Sequence, residues 1–365
     1  MADADAIVVT GAGVLTSLGQ AAQSWAAMRA GFSRIAERED FHLLGPDEEF
    51  DLPSALTAAE APPAWDGSHP WDRLVELALP ALDEALESAR LTRRAWPAAH
   101  VSLCLRTPSG GAAPAEMGRY VLEAMWTDGA LPKPRAAAVR FEGHAAGAVA
   151  IVDAARALRA GERTCCVVGG AETFLDPEAV EALDRAFRLR SERSADGYLP
   201  GEAAAFVVLE TATRAAERGV KPLATLAGYG LADEPRPLGS DEPCAAEGLC
   251  EAIRQTAARA GRGGAAGPPA AWVLSDQNGE RHRAKEWALA VSRLHEFLDP
   301  GLELWHPAEN FGDTGSASVP LLTAMAAETF RREAAPARGA LLVASSDGPA
   351  RAGLLLRGAT GTGKD

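Results

Sequence analysis

Two successive series of strands alternating with helices predict an α/β protein of packed layers and point to an internal structural duplication. Three observations carry this. The stretch "RFEGHAAGAVAIVDAARALRAGERTCCVVGGAE" (140–172) reads as strand, tight turn, helix and strand. A second series starts at "KPLATLAGYG" (221–230) and ends in a hairpin, "GALLVASSDGPARAGLLLR" (339–357). With 47% apolar residues over 365 positions, the chain can bury a sizeable core.

In order along the chain, "AIVVTGAGVLTSLG" (6–19) begins with a β-branched strand, Ile7 to Thr10, which ends in Gly11, Gly13 and Gly19. The amphipathic "AAQSWAAMRAG" (21–31) follows as a helix. Read as a dinucleotide fingerprint the segment fails. The third glycine of GxGxxG would fall at Thr16, and no acidic residue stands at the expected strand end, so no cofactor is expected. Residues 39–72, rich in Pro, Asp and Glu, read as a surface excursion. "WDRLVELALPALDEALESARL" (71–91) has apolar residues at helical spacing, and "AHVSLCL" (99–105) is a strand that puts Cys104 in the core as a small hydrophobe. After residue 172, a glycine-punctuated hairpin enters the strand "AAAFVVLE" (203–210) and a helix. In the second series, "EGLCEAIRQTAARAG" (247–261), "RAKEWALAVSRLHEFL" (283–298) and "GSASVPLLTAMAAETFRRE" (315–333) are helices; "AAWVLSD" (270–276) is a strand and "GRGGAAGPP" (261–269) a connector.

Composition removes several function classes. A formal net charge of −14 without any basic run argues against a nucleic-acid groove, which needs clustered Lys and Arg. Cys104, Cys165, Cys166, Cys244 and Cys250 form no CxxC pair and no disulfide framework, as expected in a reducing, cytoplasmic setting. The start "MADADAIVVTG" has neither the basic nor the apolar region of an export signal, and no run of about 18 apolar residues marks a membrane span.

Five segments, "IVVTGAGVLTSLGQAAQSWAAMRAGFSRI", "CCVVGGAETFLDPEAVEALDRAF", "ADGYLPGEAAAFVVLETATRAAERGVKPLATLAGYG", "NFGDTGSASVPLLTAM" and "GALLVASSDGPARAGLLLR", resemble in order and spacing the β-ketoacyl synthases of the thiolase-like superfamily. The resemblance implies an α-β-α-β-α five-layer fold with two similar halves, here 1–220 and 221–365. It also implies a dimer formed through the strand before the nucleophile turn, here "AAAVRF", and makes Glu202 in "PGEAAAF" a scaffold residue.

Such a synthase takes the acyl group on a cysteine at a helix N-terminus, where a thiolate is favoured, and uses two histidines to decarboxylate the extender and stabilise the enolate. Carried over by resemblance, the cysteine position is His144 in "GHAAGA", the first histidine is Asp276 in "LSDQNGER", and the second is Asp313 in "AENFGD", with Ala308 at the lysine. The closing loop reads "ASSDGPAR". Imidazole does not reproduce a helix-stabilised thiolate, and two carboxylates repel an enolate, so loss of condensation is expected.

Three uses of His144, Asp276 and Asp313 compete. In the first, His144 hydrogen-bonds one or both carboxylates and staples the halves together. In the second, a carboxylate raises the histidine pKa for a non-condensing acid/base reaction. In the third the three ligate a metal, for which no local spacing motif speaks. The first is preferred, and no metal is expected. "SDQNGERHRAKEW" (275–287) reads either as a solvated turn or as a recognition loop for a protein partner. The expected role is a non-catalytic binding or assembly protein, similar to short synthase-like accessory proteins of type VI secretion effector loci. The alternatives are a subunit resembling the chain-length factors of polyketide synthesis, or an acyl-group enzyme acting through His144. A homodimer or heterodimer and contact with an acyl carrier protein go with these readings.

Overall fold

The computed structural model describes residues 6–43, 54–92, 96–109, 111–129, 132–191, 194–261 and 270–359. The connector at 262–269 lies outside the described residues. In the first half, strands β1 (Ile7–Thr16), β2 (Ala36–Leu43), β3 (Ser54–Ala58), β4 (His100–Cys104), β5 (Ala136–Arg140), β6 (Cys166–Thr173) and β7 (Glu202–Thr211) alternate with helices. These are α1 (Ala21–Arg29), α2 (Pro70–Ser88), α3 (Pro114–Asp128), α4 (Ala146–Arg159), α5 (Pro177–Arg185) and α6 (Ala212–Glu217). The second half has β8 (Ala224–Asp233), β9 (Ala270–Ser275), β10 (Leu298–Trp305), β11 (Gly339–Ser345) and β12 (Ala350–Gly358). Its helices are α7 (Glu247–Ala260), α8 (Arg281–Arg293), α9 (Ala308–Phe311) and α10 (Ser318–Arg331).

The sheet order β5-β4-β6-β7-β1 is repeated as β10-β9-β11-β12-β8, and the two runs join through a short β1–β8 pairing at Val8/Thr225 and Val9/Ala224. Within each run two parallel pairings sit at the outer end and two antiparallel pairings at the inner end. The strand-to-helix path also repeats, since a single 3-10 turn leads into α4 (Gly143–Ala145) and into α10 (Gly315–Ala317).

Packing resolves this topology into five layers. Helices α4 and α10, which are buried around nearly their whole circumference, form the middle with residues of both strand series. A helix without a polar face belongs in such an interior. Helices α2 and α3 cover the outer face of the first series, while α7 and α8 cover that of the second. No helix among the described residues is long and apolar enough to cross a membrane.

Three expectations need correction. Strand β1 does not stop at Thr10 but runs through Gly11 and Gly13 to Thr16. These glycines serve close packing: a Cβ at Gly11 would stand 2.4 Å from the Ala85 carbonyl oxygen, and one at Gly13 would stand 2.3 Å from that of Ala81. Residues 39–72 are not merely an excursion, because β2 and β3 pair and bury Leu43, Leu56 and Ala58 against Phe174, Leu175 and Tyr198. The helix expected over 283–298 ends at Arg293, and Leu298–Trp305 forms edge strand β10, whose Pro300 and Gly301 carry no helical signal.

Candidate functional site

The site lies where the 3-10 turns before α4 and α10 meet the ends of β9 and β11. Gly143 has φ +71°, a left-handed conformation that lets the chain leave β5 and enter α4 directly. His144, the next residue, is 7% exposed and points across the junction of the halves. Its Nε2 lies 2.8 Å from Asp313 Oδ1, and its Nδ1 lies 3.1 Å from Arg283 Nη2. A guanidinium only donates, so the network assigns the Nε2 proton to the bond with Asp313 and makes Nδ1 the acceptor.

Asp313 is held from three further directions. Asn278 Nδ2 donates to Oδ2 at 2.6 Å, the Gly315 amide donates to Oδ1 at 2.8 Å, and its own amide donates to the Leu199 carbonyl at 2.7 Å. Arg283, also buried, is the hub. Its Nη1 donates to Asp276 Oδ2 at 3.0 Å and to the Ser345 carbonyl, while Nη2 donates to Asp347 Oδ1 at 3.0 Å. Arg188 closes the outer side with two bonds to Glu280, at 2.7 and 2.9 Å, and one to Asp347 at 2.8 Å.

The electrostatics follow from four carboxylates gathered around two guanidiniums and one imidazole. Burial works against the Asp313 charge, but His144, the hydrogen bond between them, Arg283 and Asn278 outweigh it and hold its pKa down at about 2. For His144, burial and Arg283 oppose a charge on the ring; Asp313 and Asp276 overcome them, so the pKa is raised. Protonation of Nδ1 must still displace the Arg283 contact. Asp276 is raised by burial, against Arg283 and His144, whereas Asp347 stays well below the ordinary carboxylate range because Arg283 and Arg188 offset its burial.

Of the three residues singled out in the sequence, His144 and Asp313 are therefore in direct contact. Asp276 belongs to the same cluster but does not bond to His144, because the Arg283 guanidinium lies between them. A metal held by all three would need the place that this cation occupies. The "SDQNGERHRAKEW" segment (275–287) is not merely a solvated turn: its Asn278, Glu280 and Arg283 are buried and form the site wall. The sequence offers Asn278, Glu280 and Arg283 only as members of a polar loop, solvated or partner-binding, and gives no sign of Arg188 or Asp347. The available signal was the crowding of four charged side chains, Asp276, Glu280, Arg281 and Arg283, just past a strand end.

The helix terminus is also occupied. The Ala145 amide donates to Ser346 Oγ at 3.0 Å, and that hydroxyl donates to the Glu142 carbonyl, so a neutral side chain takes one of the amides that would face an anion. Cys165 and Cys166 lie beyond the other end of α4, both buried, and burial raises the pKa of each thiol. Neither is poised as a nucleophile.

Fold and site thus define a layered α/β protein with a duplicated strand series and a buried ionic cluster where its two central helices begin. Residues 135–215 match the family model described as the N-terminal domain of β-ketoacyl synthase. Over 106 residues, 27% of this chain, it is 33% identical to a 6-methylsalicylic acid synthase of Penicillium terrestre, of which the match covers 6%. Over 103 residues it is 31% identical to the mitochondrial 3-oxoacyl-[acyl-carrier-protein] synthase of Arabidopsis thaliana, of which the match covers 22%. The matched stretch thus spans less than a quarter of either relative's length. The whole fold is similar to that of the ishigamide ketosynthase/chain length factor, with a TM-score of 0.77 at 20% identity, covering 97% of this chain and 99% of that one. A β-ketoacyl synthase from Burkholderia phymatum gives 0.71 at 19% identity over the same shares. Residues 135–215 thus match the β-ketoacyl synthase N-terminal domain, and the chain as a whole shares the ketosynthase fold.

Proposed function

We propose that this protein is a ketosynthase-fold binding or assembly subunit that does not carry out condensation. The observation that carries this reading is the double engagement of His144: both ring nitrogens are committed, to Asp313 and Arg283, at the position where the family resemblance puts the acyl-accepting cysteine. An imidazole so held offers no free lone pair to an acyl thioester, and the surrounding carboxylates oppose a developing enolate. The cluster joins residues from both halves, which suits a stapling role.

The partner we favour is a second chain of the same fold class, paired along the β5 edge, where Ala136, Ala137 and Ala138 are exposed. The ishigamide ketosynthase/chain length factor, of similar fold, supports a role like that of a chain-length factor over that of a secretion-effector accessory. A complex in which an acyl-carrier protein is bound by its ketosynthase is also among the solved structures of similar fold, and makes a carrier protein the further partner to test.

The test is intact-protein mass after incubation with malonyl and longer acyl thioesters, on coenzyme A and on carrier protein, for wild type and His144→Ala. No adduct and no conversion of malonyl to acetyl thioester are expected. An adduct lost in His144→Ala, or decarboxylation by wild type alone, would establish an enzyme instead.

A further inference from the structure

One turn along α8 from Arg283, three side chains capable of binding a metal face one another outside the cluster described above. Glu234 follows β8, Cys244 lies in the loop before α7, and Glu286 is on α8; one ligand atom from each falls within 4.8 Å of the others. Glu234 and Glu286 are 1% and 3% exposed, and Cys244 is half-buried. The Gly248 amide donates to Glu234 Oε2 at 2.9 Å, yet Glu234 Oε1 is enclosed and takes no hydrogen bond from any described residue. An enclosed carboxylate oxygen without a donor is costly and calls for a proton donor or a cation.

The spacing fits a cation. Cys244 Sγ lies 3.6 Å from Glu286 Oε1. A thiolate at about 2.3 Å and a carboxylate oxygen at about 2.0 Å on one tetrahedral zinc ion stand about 3.5 Å apart. Each ligand is also oriented by an outer donor, as metal ligands commonly are. The Ala246 amide approaches Cys244 Sγ at 3.4 Å, Arg351 Nε donates to Glu286 Oε1 at 2.6 Å, and Gly248 holds Glu234. Two carboxylates and a thiolate against Arg351 leave two negative charges, which a divalent ion balances. The neighbouring group Glu280, His282 and Asp347 also gathers ligand atoms, but Arg188 and Arg283 already occupy its carboxylates.

We propose that Glu234, Cys244 and Glu286 form a site for a borderline-soft divalent metal of the zinc class, with water completing the tetrahedron on the side where Cys244 meets solvent. The thiolate selects against Mg2+ and Ca2+. Such a metal would tie the loop before α7 to α8.

The experiment uses the purified full chain, stripped with a chelator and titrated with Co2+ as a spectroscopic probe. A one-equivalent sulfur-to-cobalt charge-transfer absorption in the near ultraviolet is expected, displaced by Zn2+ and accompanied by a rise in Tm. Cys244→Ser should abolish the band, and Glu234→Gln, which keeps an acceptor for the Gly248 amide, should weaken Co2+ binding by about 10-fold or more. Far-ultraviolet circular dichroism checks that both variants fold, and the wild-type titration stands without them. Absence of the sulfur band in wild type, or its persistence in Cys244→Ser, overturns the proposal.

Discussion

Nε2 of His144 stands 2.8 Å from Oδ1 of Asp313, 169 positions away in sequence and in the other half of the fold. This contact should make stability depend on acid in a predictable direction. The folded-state pKa of Asp313 is lowered from 3.8 to about 2, so its contribution is complete above the unfolded value and is lost as pH falls through the folded one. At neutral pH that contribution is on the order of 2 kcal/mol. Urea unfolding of wild type and Asp313→Asn, compared from pH 6 downward, should show a gap that narrows below about pH 4. A gap independent of pH would mean that Asp313 has the same pKa folded and unfolded, so that its ionisation adds nothing to stability.

Arg283 should tolerate even lysine badly. Its fork reaches Asp276 and the Ser345 carbonyl from one nitrogen and Asp347 and His144 from the other. A lysine ammonium keeps the charge but cannot place donors along both directions at once. Arg283→Lys should lose about 2–3 kcal/mol in chemical denaturation, since at least one buried charged acceptor loses its donor. A change below about 0.5 kcal/mol, as for an ordinary surface substitution, would show that the hub adds little.

Glu202 and Arg73 form a second, wholly buried pair at the α2 edge of the first sheet series. Arg73 donates to Glu202 through Nε at 3.0 Å and Nη2 at 2.6 Å, while Thr173 and the Ala61 amide fill the remaining acceptor positions. Glu202→Gln leaves the buried guanidinium with only the partly exposed Glu76 as counter-charge and should cost about 2–3 kcal/mol. The double replacement Arg73→Met with Glu202→Leu should recover much of that loss, because well-packed apolar residues can substitute for a buried pair. Thermal unfolding of the three variants separates the penalty of an orphaned charge from the net value of the pair.

Local signals gave the framework of the fold because they were strong where it needed them. The apolar period around α2 and α4, the β-branched run entering β1 and the hairpin β11–β12 each fixed an element on its own. What stayed hidden depends on distant partners. Gly11 and Gly13 look like a turn until α2 lies against them, and β10 makes sense only beside β9. For the site, position and residue type singled out His144, Asp276 and Asp313, but no local pattern shows that an arginine on α8 reaches past Asp276 to the imidazole. Hub residues of a buried ionic cluster carry no sequence period, which is why the sequence shows Arg283 only as one charge in a polar loop.

The free edge of β5 should decide how this chain associates. Among the described residues β5 pairs only with β4, and its residues Ala136, Ala137 and Ala138 are exposed. Lys133, Pro134 and Arg135 precede the strand and Arg140 ends it, but the three consecutive alanines leave the middle of the exposed edge without the charge or proline that usually protects such strands from pairing. If it pairs about a two-fold axis, Ala137→Lys brings like charges into neighbouring strands, an arrangement that destabilises pairing. Sedimentation velocity should then show a wild-type dimer that dissociates on this substitution, with the monomer retaining its Tm. A wild-type chain that remains monomeric at high micromolar concentration would remove the homodimer and leave a heterologous chain of the same fold as the partner to seek; a dimer insensitive to Ala137→Lys would place the interface elsewhere.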